Sequence, residues 1–229
     1  MEVKDPWLSV IIPVLNEEKQ LQQLLPRLKQ EKEQWALELL LADGGSSDGS
    51  ARVANQHDAQ WIPCPVAGRA SQLNYAAQKA RGTTLFFLYA DCQPPKNFTR
   101  YIANWLERGG SAGSFRLQFD WSHWFLRLNA WFTRFSHPWF RFGDQGLFMR
   151  RESFAELGGY REDLKVMEDQ EIARRLIRRG GYKVLPYYIR VSARRYRSNG
   201  PLYLQSVYFR IWWQYYRGAS QDQLVATYR

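Results

Sequence analysis

The chain has 229 residues, enough for one α/β domain with an appendage, and its 45% hydrophobic content supplies a full core and excludes wholesale disorder. Lys and Arg outnumber Asp and Glu by 32 to 22, a net charge of +10 that suits a polyanion, a phosphate-bearing substrate or an anionic membrane surface. Cys64 and Cys92 are the only cysteines and lack metal-ligand spacing, which excludes a disulfide framework and fits a reducing cytosol.

The amino-terminal MEVKDPWLSV lacks the apolar stretch of a signal peptide. No apolar run approaches the roughly 20 residues that cross a bilayer. A cytoplasmic protein is expected, at most lying on the inner face of the cell membrane.

Leu8–Leu15 is an apolar, β-branched run and reads as a first, central strand. Asn16 stands as a cap, and Glu17 and Glu18 suit the first turn of a helix to about Lys32, with Leu21, Leu24, Leu25 and Leu28 on one face. Pro26 inside it is a candidate kink. Leu37–Ala42 is a second strand that opens into Asp43-Gly44-Gly45-Ser46-Ser47-Asp48-Gly49-Ser50, a loop by composition. Asp48 or Ser50 can cap the helix that follows, to about His57. Trp61-Ile62 is a short third strand, Arg69–Lys79 a helix, and Thr84–Leu88 a fourth strand stopped before Pro94-Pro95. This alternation predicts a parallel sheet with helices on both faces. No glycine-rich dinucleotide fingerprint follows the first strand, which disfavours a nicotinamide or flavin enzyme.

Ser111–Phe119 alternates as a strand. In the next stretch Trp124, Leu128, Trp131 and Phe135 fall at helical spacing, with Arg127, Arg134 and Arg141 at heptad intervals until Pro138 breaks the pattern. Two readings stand: a core helix packed on the sheet, or an interfacial helix with aromatics in lipid and Arg near headgroups. His123 and His137 read as surface or packing residues rather than metal ligands. Leu147–Arg150 and Tyr182–Leu185 are short strands, and Glu168–Arg179 is an amphipathic helix closed by Gly180-Gly181. Arg190, Arg194, Arg195 and Arg197 cluster in an expected loop. Pro201–Arg217 is an aromatic helix that is buried, dimerised or laid on a membrane, and Gln221–Tyr228 is one further short helix. Residues 1–200 are therefore assigned to one α/β domain, the catalytic one if the chain is an enzyme, and residues 201–229 to its C-terminal helical appendage.

The motifs PVLNEE after the first strand, ADGGSSDGS after the second, an acid after the fourth and Glu168-Asp169 opening a helix resemble the family 2 glycosyltransferases of GT-A fold. Gly143–Phe148 (GDQGLF), Glu168–Glu171 (EDQE) and Ser192–Arg195 (SARR) are similar to those of a small bacterial subgroup. The resemblance extends from Leu8 to the terminal Arg229. It implies a Rossmann-like three-layer sandwich with a mostly parallel central sheet and C-terminal aromatic helices. It also implies an inverting transfer of a sugar from a nucleotide-sugar, UDP-linked, to an unidentified acceptor that the aromatic-basic helices suggest is lipid-linked.

By the same resemblance Pro13, Val14, Leu15 and Glu17 line the nucleobase and ribose, and Asp43 accepts a hydrogen bond from the base. Asp43 alone would also suit a simple turn, and Arg69 alone a solvated surface. The resemblance makes Arg69 a partner of the diphosphate and puts Asp144, Gln145 and Glu168 on the acceptor side; the basic cluster offers Arg194 or Arg195 to the same diphosphate, and alone it would equally suit a solvated loop. Asp169 becomes the base that takes the acceptor's proton, although acids at a helix N-terminus are also expected for dipole reasons. Asp91 matches the last position of the family's Asp-x-Asp signature and is the candidate ligand of a divalent metal, Mn²⁺ or Mg²⁺. The first position of that signature is Tyr89, which predicts a weaker, nucleotide-dependent metal site. A basic, aromatic nucleic-acid-binding module would explain the charge. It would not explain Asp43, Asp91, Asp144 and Asp169, which repel phosphates without a metal. Tyr89 keeps open a third reading, a catalytically silent membrane-surface scaffold.

Overall fold

The computed structural model describes residues 5–228; residues 1–4, where the leader-free reading begins, and Arg229, the end of the resemblance, lie outside the described residues. The first half alternates as expected. β1 (Leu8–Val14), α1 (Glu18–Gln34), β2 (Leu37–Asp43), α2 (Ser50–Gln56), β3 (Gln60–Pro63), α3 (Arg69–Lys79) and β4 (Thr84–Phe87) form parallel crossover units. There follow β5 (Cys92–Gln93), α4 (Phe98–Glu107), β6 (Ala112–Phe119), α5 (Trp124–Phe132), β7 (Leu147–Arg150), α6 (Arg151–Glu156), α7 (Glu168–Arg179), β8 (Tyr182–Val191), α8 (Arg194–Asn199), α9 (Pro201–Tyr216) and α10 (Gln221–Tyr228). The strands make one sheet in the order β3-β2-β1-β4-β7-β6-β8-β5. β7 runs antiparallel to both its neighbours, and β5 runs antiparallel to β8.

β1 shows why the sheet is central. Successive side chains of a strand point to opposite faces, and here both faces are covered. Val10 and Ile12 pack with Leu21, Leu24, Leu25 and Leu28 of α1 and with Phe98 and Ile102 of α4. Ile11 faces the other way, toward Leu73 and Ala76 of α3 and Ile172 and Leu176 of α7. Phe86 and Phe87 of β4 divide likewise, Phe86 stacking near Phe98 at 5.3 Å and Phe87 near Phe154 at 5.1 Å. Each fully buried side chain of this size contributes about 1.5–3 kcal/mol, so the two layers together fix which strand ends share an edge. α9 lies outside them, burying Leu204 against Leu126 of α5 and Tyr196 of α8, and Val207 and Ile211 against Leu224 of α10.

Several local expectations are corrected. α1 runs through Pro26 without interruption. Asn16 is not the helix cap: its φ is 56°, the left-handed turn by which the chain leaves β1, and Glu17 occupies the cap position without a side-chain bond. Asparagine tolerates that conformation better than most residues. α4 adds to the expected elements; Phe98, Ile102 and Leu106 stand on one helical face and are buried. β8 continues past Leu185 to Val191, because a register shift in its pairing with β6 lets the strand pass Pro186. Arg190 is therefore on a strand, and Arg194, Arg195 and Arg197 are on α8 rather than in a loop.

Candidate active site

Since β1 to β4 are parallel and in register, Val14, Asp43 and Pro63 stand side by side at one edge of the sheet. Open α/β sheets bind ligands at such carboxyl ends. Two loops there are stitched together. The backbone amides of Asn16, Glu17 and Glu18 donate to Ser46 Oγ (3.0 Å), Ser50 Oγ (3.1 Å) and Asp48 Oδ2 (3.0 Å). In return Ser47 N donates to Asn16 Oδ1 (2.8 Å) and Gly49 N to Glu18 Oε2 (3.2 Å). Asp48 and Ser50 thus join the loops, and Gly49, not either of them, occupies the cap position of α2. Below them Gln72 of α3 is buried, and its Nε2 donates to the carbonyls of Val14 (2.9 Å) and Ala42 (2.7 Å), tying β1 to β2.

The residues expected to hold a nucleotide-sugar lie unequally on this edge. Leu15 is 54% exposed and Pro13 half-buried, whereas the side chain of Val14 is in the core beneath α1. Asp43 is buried, and its Oδ1 accepts from Ser46 N at 2.8 Å, an intra-loop bond that fixes the carboxylate. Glu17 faces Arg194 at 3.4 Å, and burial raises its carboxyl above the usual range. Arg194 also lies 3.9 Å from Asp91, so it joins the loop after β1 to the loop after β4. Arg195 donates to the Tyr228 hydroxyl and stacks on that ring, and its charge acts on Asp144 against the effect of burial.

Asp91 follows β4 by a short turn and is adjacent to Asp144 and Cys92. The Cys92 thiol lies 3.7 Å from Asp91 Oδ1 and donates to the carbonyl of Asp144 at 3.5 Å. Burial and the Asp91 charge push the Asp144 carboxyl up to about 7. Gln145 turns away: it is buried and its Nε2 donates to the Phe140 carbonyl at 2.6 Å. Asp169 and Glu168 open α7, reaching the edge from the opposite layer. Burial raises the carboxyls of both, Glu168 to about 7 with the neighbouring Asp169 adding to the effect, while Arg69 acts against it. Arg69 pairs with Glu168 at 2.9 Å, lies 3.8 Å from Asp169, and stacks its guanidinium over the Tyr89 ring at 4.7 Å. The Tyr89 hydroxyl donates to Asp169 Oδ2.

Sequence reasoning misses three contributors. Gln72 gives no motif signal, and Tyr89 enters only as a missing carboxylate. Gly143 stands in a motif for which the sequence offers no reason: a Cβ there would overlap both Tyr89 Oη and Asp169 Oδ2. Among the described residues no group of three or more His, Cys, Asp or Glu is placed to hold a metal. Were a cation bound at this edge, Asp91 would offer it one carboxylate. A single carboxylate fits a cation that takes its remaining ligands from diphosphate oxygens and water.

The aromatic stretch departs from one of its two readings. Only Leu126 of α5 is buried, while Trp124, Leu128 and Trp131 are exposed, so α5 is not a core helix. Arg141 is fully buried and bonds Ser114 Oγ at 3.0 Å and the carbonyls of Thr133 and Phe135, so it does not sit near the surface. His123 and His137 accept from the amides of Phe125 and Trp139, each capping the turn it precedes. No described helix is long and apolar enough to cross a membrane.

A parallel edge carrying acids from opposite layers, on this strand order, is the ligand-binding edge of an open α/β sheet. Glycosyl transferase family 2 matches residues 9–159, and the chain belongs to that family. Glycosyltransferase AglE of Haloferax volcanii is 33% identical over 113 residues, covering 46% of this chain and 35% of that protein. Undecaprenyl-phosphate 4-deoxy-4-formamido-L-arabinose transferase of Proteus mirabilis is 33% identical over 159 residues, covering 62% of this chain and 47% of that protein. The chain thus spans less than half the length of either relative. Among solved structures, S. aureus TarS 1–349 in complex with UDP-GlcNAc superposes with a TM-score of 0.64 at 17% identity, over 81% of this chain and 58% of that one. The mannosyltransferase PcManGT from Pyrobaculum calidifontis, in complex with GDP-Man and Mn²⁺, superposes with a TM-score of 0.68 at 21% identity, over 90% and 61%. The fold is GT-A, as the sequence predicts.

Proposed function

We propose that the chain transfers a sugar from a nucleotide-sugar to an amphiphilic acceptor with inversion at the anomeric carbon. The observation that carries this reading is the convergence of Asp169, from α7, with Asp91 and Asp144 on the edge formed by β1, β2 and β4. The acceptor oxygen attacks the anomeric carbon and its proton passes to Asp169, while the bond from that carbon to the nucleoside diphosphate breaks. A carboxyl raised by burial is a better base at neutral pH than an ordinary one. Asp43 accepts from the base of the nucleotide, which favours a donor edge such as the uracil imide and hence a UDP-sugar. Arg194 and Arg69 meet the charge that develops on the leaving diphosphate, and Asp144 and Glu168 lie toward the acceptor. Asp91 would hold a divalent cation, Mn²⁺ or Mg²⁺, which when bound neutralises diphosphate charge.

The acceptor side points to lipid. The exposed Trp139 meets the half-buried Trp212 of α9 at 5.5 Å. Arg134 lies on Trp131 at 4.6 Å and Arg217 on Trp213 at 4.4 Å, so cations flank the apolar surface. This is the composition of a helix pair resting in an anionic leaflet. A lipid-linked acceptor is in keeping with the name of the Proteus mirabilis relative. Membership of a transferase family weighs against a nucleic-acid module, and the silent scaffold predicts no turnover.

The test is calorimetric titration of UDP-, GDP- and dTDP-sugars with and without Mn²⁺. Tightest binding of a UDP-sugar, strengthened by Mn²⁺ and lost in Asp43→Ala, is expected. Binding of none of them would overturn the proposal.

A further inference from the structure

Tyr89 stands where the family signature has its first carboxylate, and its contacts are those of a different part. Its hydroxyl donates to Asp169 Oδ2, and its ring is fixed from the other side by the Arg69 guanidinium at 4.7 Å. Arg69 is itself anchored to Glu168 at 2.9 Å. The Gly143 amide also bonds to the Asp169 carboxylate. The turn carrying Gly143 approaches so closely that no side chain fits there. A carboxylate on its own swings about two side-chain torsions. This one is held by a phenol, a guanidinium and a backbone amide from three separate elements.

We propose that Tyr89 is a positioning residue for Asp169: its hydrogen bond sets the orientation of the carboxylate, and Arg69, stacked on the ring, keeps the phenol in place. The inference rests on Asp169 acting as the base. At this position the chain has exchanged a metal-binding carboxylate for a donor that orients the base. The exchange leaves cation binding to Asp91 and the nucleotide. A base held in its productive geometry before the acceptor arrives spares the transition state the cost of ordering it. The effect of Tyr89 therefore falls on turnover and not on donor binding.

The discriminating variant is Tyr89→Phe, which keeps the ring and its stack on Arg69 and deletes only the donor. We expect kcat to fall about tenfold to a hundredfold, with KM for the nucleotide-sugar unchanged and the protein still folded. Crystal structures of wild type and Tyr89→Phe give a readout that does not depend on sugar transfer. Asp169 is expected in one rotamer in the first and spread over several in the second. Tyr89→Asp, which recreates the paired carboxylates, is expected to impair turnover further, because it sets a like charge against Asp169. Three results would overturn the inference: wild-type kcat in Tyr89→Phe, one unchanged Asp169 rotamer in both crystals, or a Tyr89→Asp protein that turns over faster and binds Mn²⁺ more tightly by calorimetry. If wild type transfers no sugar, the proposed function fails, and the two crystal structures still decide the positioning role.

Discussion

Replacing Glu168 with glutamine isolates the electrostatic cost built into this edge. Glu168 is 1% exposed, and burial beside Asp169 raises its carboxyl from 4.5 to about 7 despite the Arg69 pair. A raised folded value means that the native state keeps a proton the unfolded chain releases. Its contribution to stability is full below the unfolded value and is lost as pH rises through about 7. About two pKa units of that rise lie between about pH 5 and about pH 8, or about 2–3 kcal/mol. The substituted glutamine would keep the shape and an oxygen for Arg69 but carry no charge. Urea unfolding followed by tryptophan fluorescence at both pH values gives the double difference. The stability of Glu168→Gln relative to wild type should shift in favour of the variant by about 2–3 kcal/mol on going to the higher pH. A relative stability that is the same at both would refute the argument that Glu168 is buried at an electrostatic cost.

The other predictions address the supports of the site. Gly143→Ala should reduce turnover, because its Cβ would displace Tyr89 and Asp169; kinetics, with a melting curve to show that the variant folds, check this. Gln72→Ala removes the donor shared by the Val14 and Ala42 carbonyls and should cost about 1–3 kcal/mol in urea unfolding. The double variant Trp131→Ser, Trp213→Ser should lose flotation with vesicles containing anionic lipid while binding donor normally. Undiminished flotation would remove the aromatic surface from the account.

The layered fold is legible because it rests on pattern. β1, β2 and β4 are apolar runs buried on both faces, and the α1 leucines repeat at helical spacing, so periodicity alone places them. What escapes depends on partners distant in the chain. Asn16 has the composition of a cap, but its side chain is taken by Ser47 from another loop. Arg141 has the spacing of three surface arginines, but Ser114 and the turn carbonyls of residues 133 and 135 enclose it. The acids of the site are visible as loop-end and helix-start carboxylates. Their grouping is not, since the separation from Tyr89 to Asp169 is closed only by the packing of α7 on the sheet. The family resemblance supplies that grouping in advance, but not the Tyr89 bond, which departs from the family pattern.

The central claim is that Asp169 removes the acceptor's proton. Asp169→Asn keeps the size of the side chain and its bond to Tyr89 but leaves no base. The measurement is turnover of the nucleotide-sugar that binds most tightly, with a hydroxyl-bearing glycolipid as acceptor, alongside calorimetry of the same donor. A fall in turnover of about 10²–10⁴-fold with donor affinity retained is the predicted result. Wild-type turnover by Asp169→Asn would contradict it.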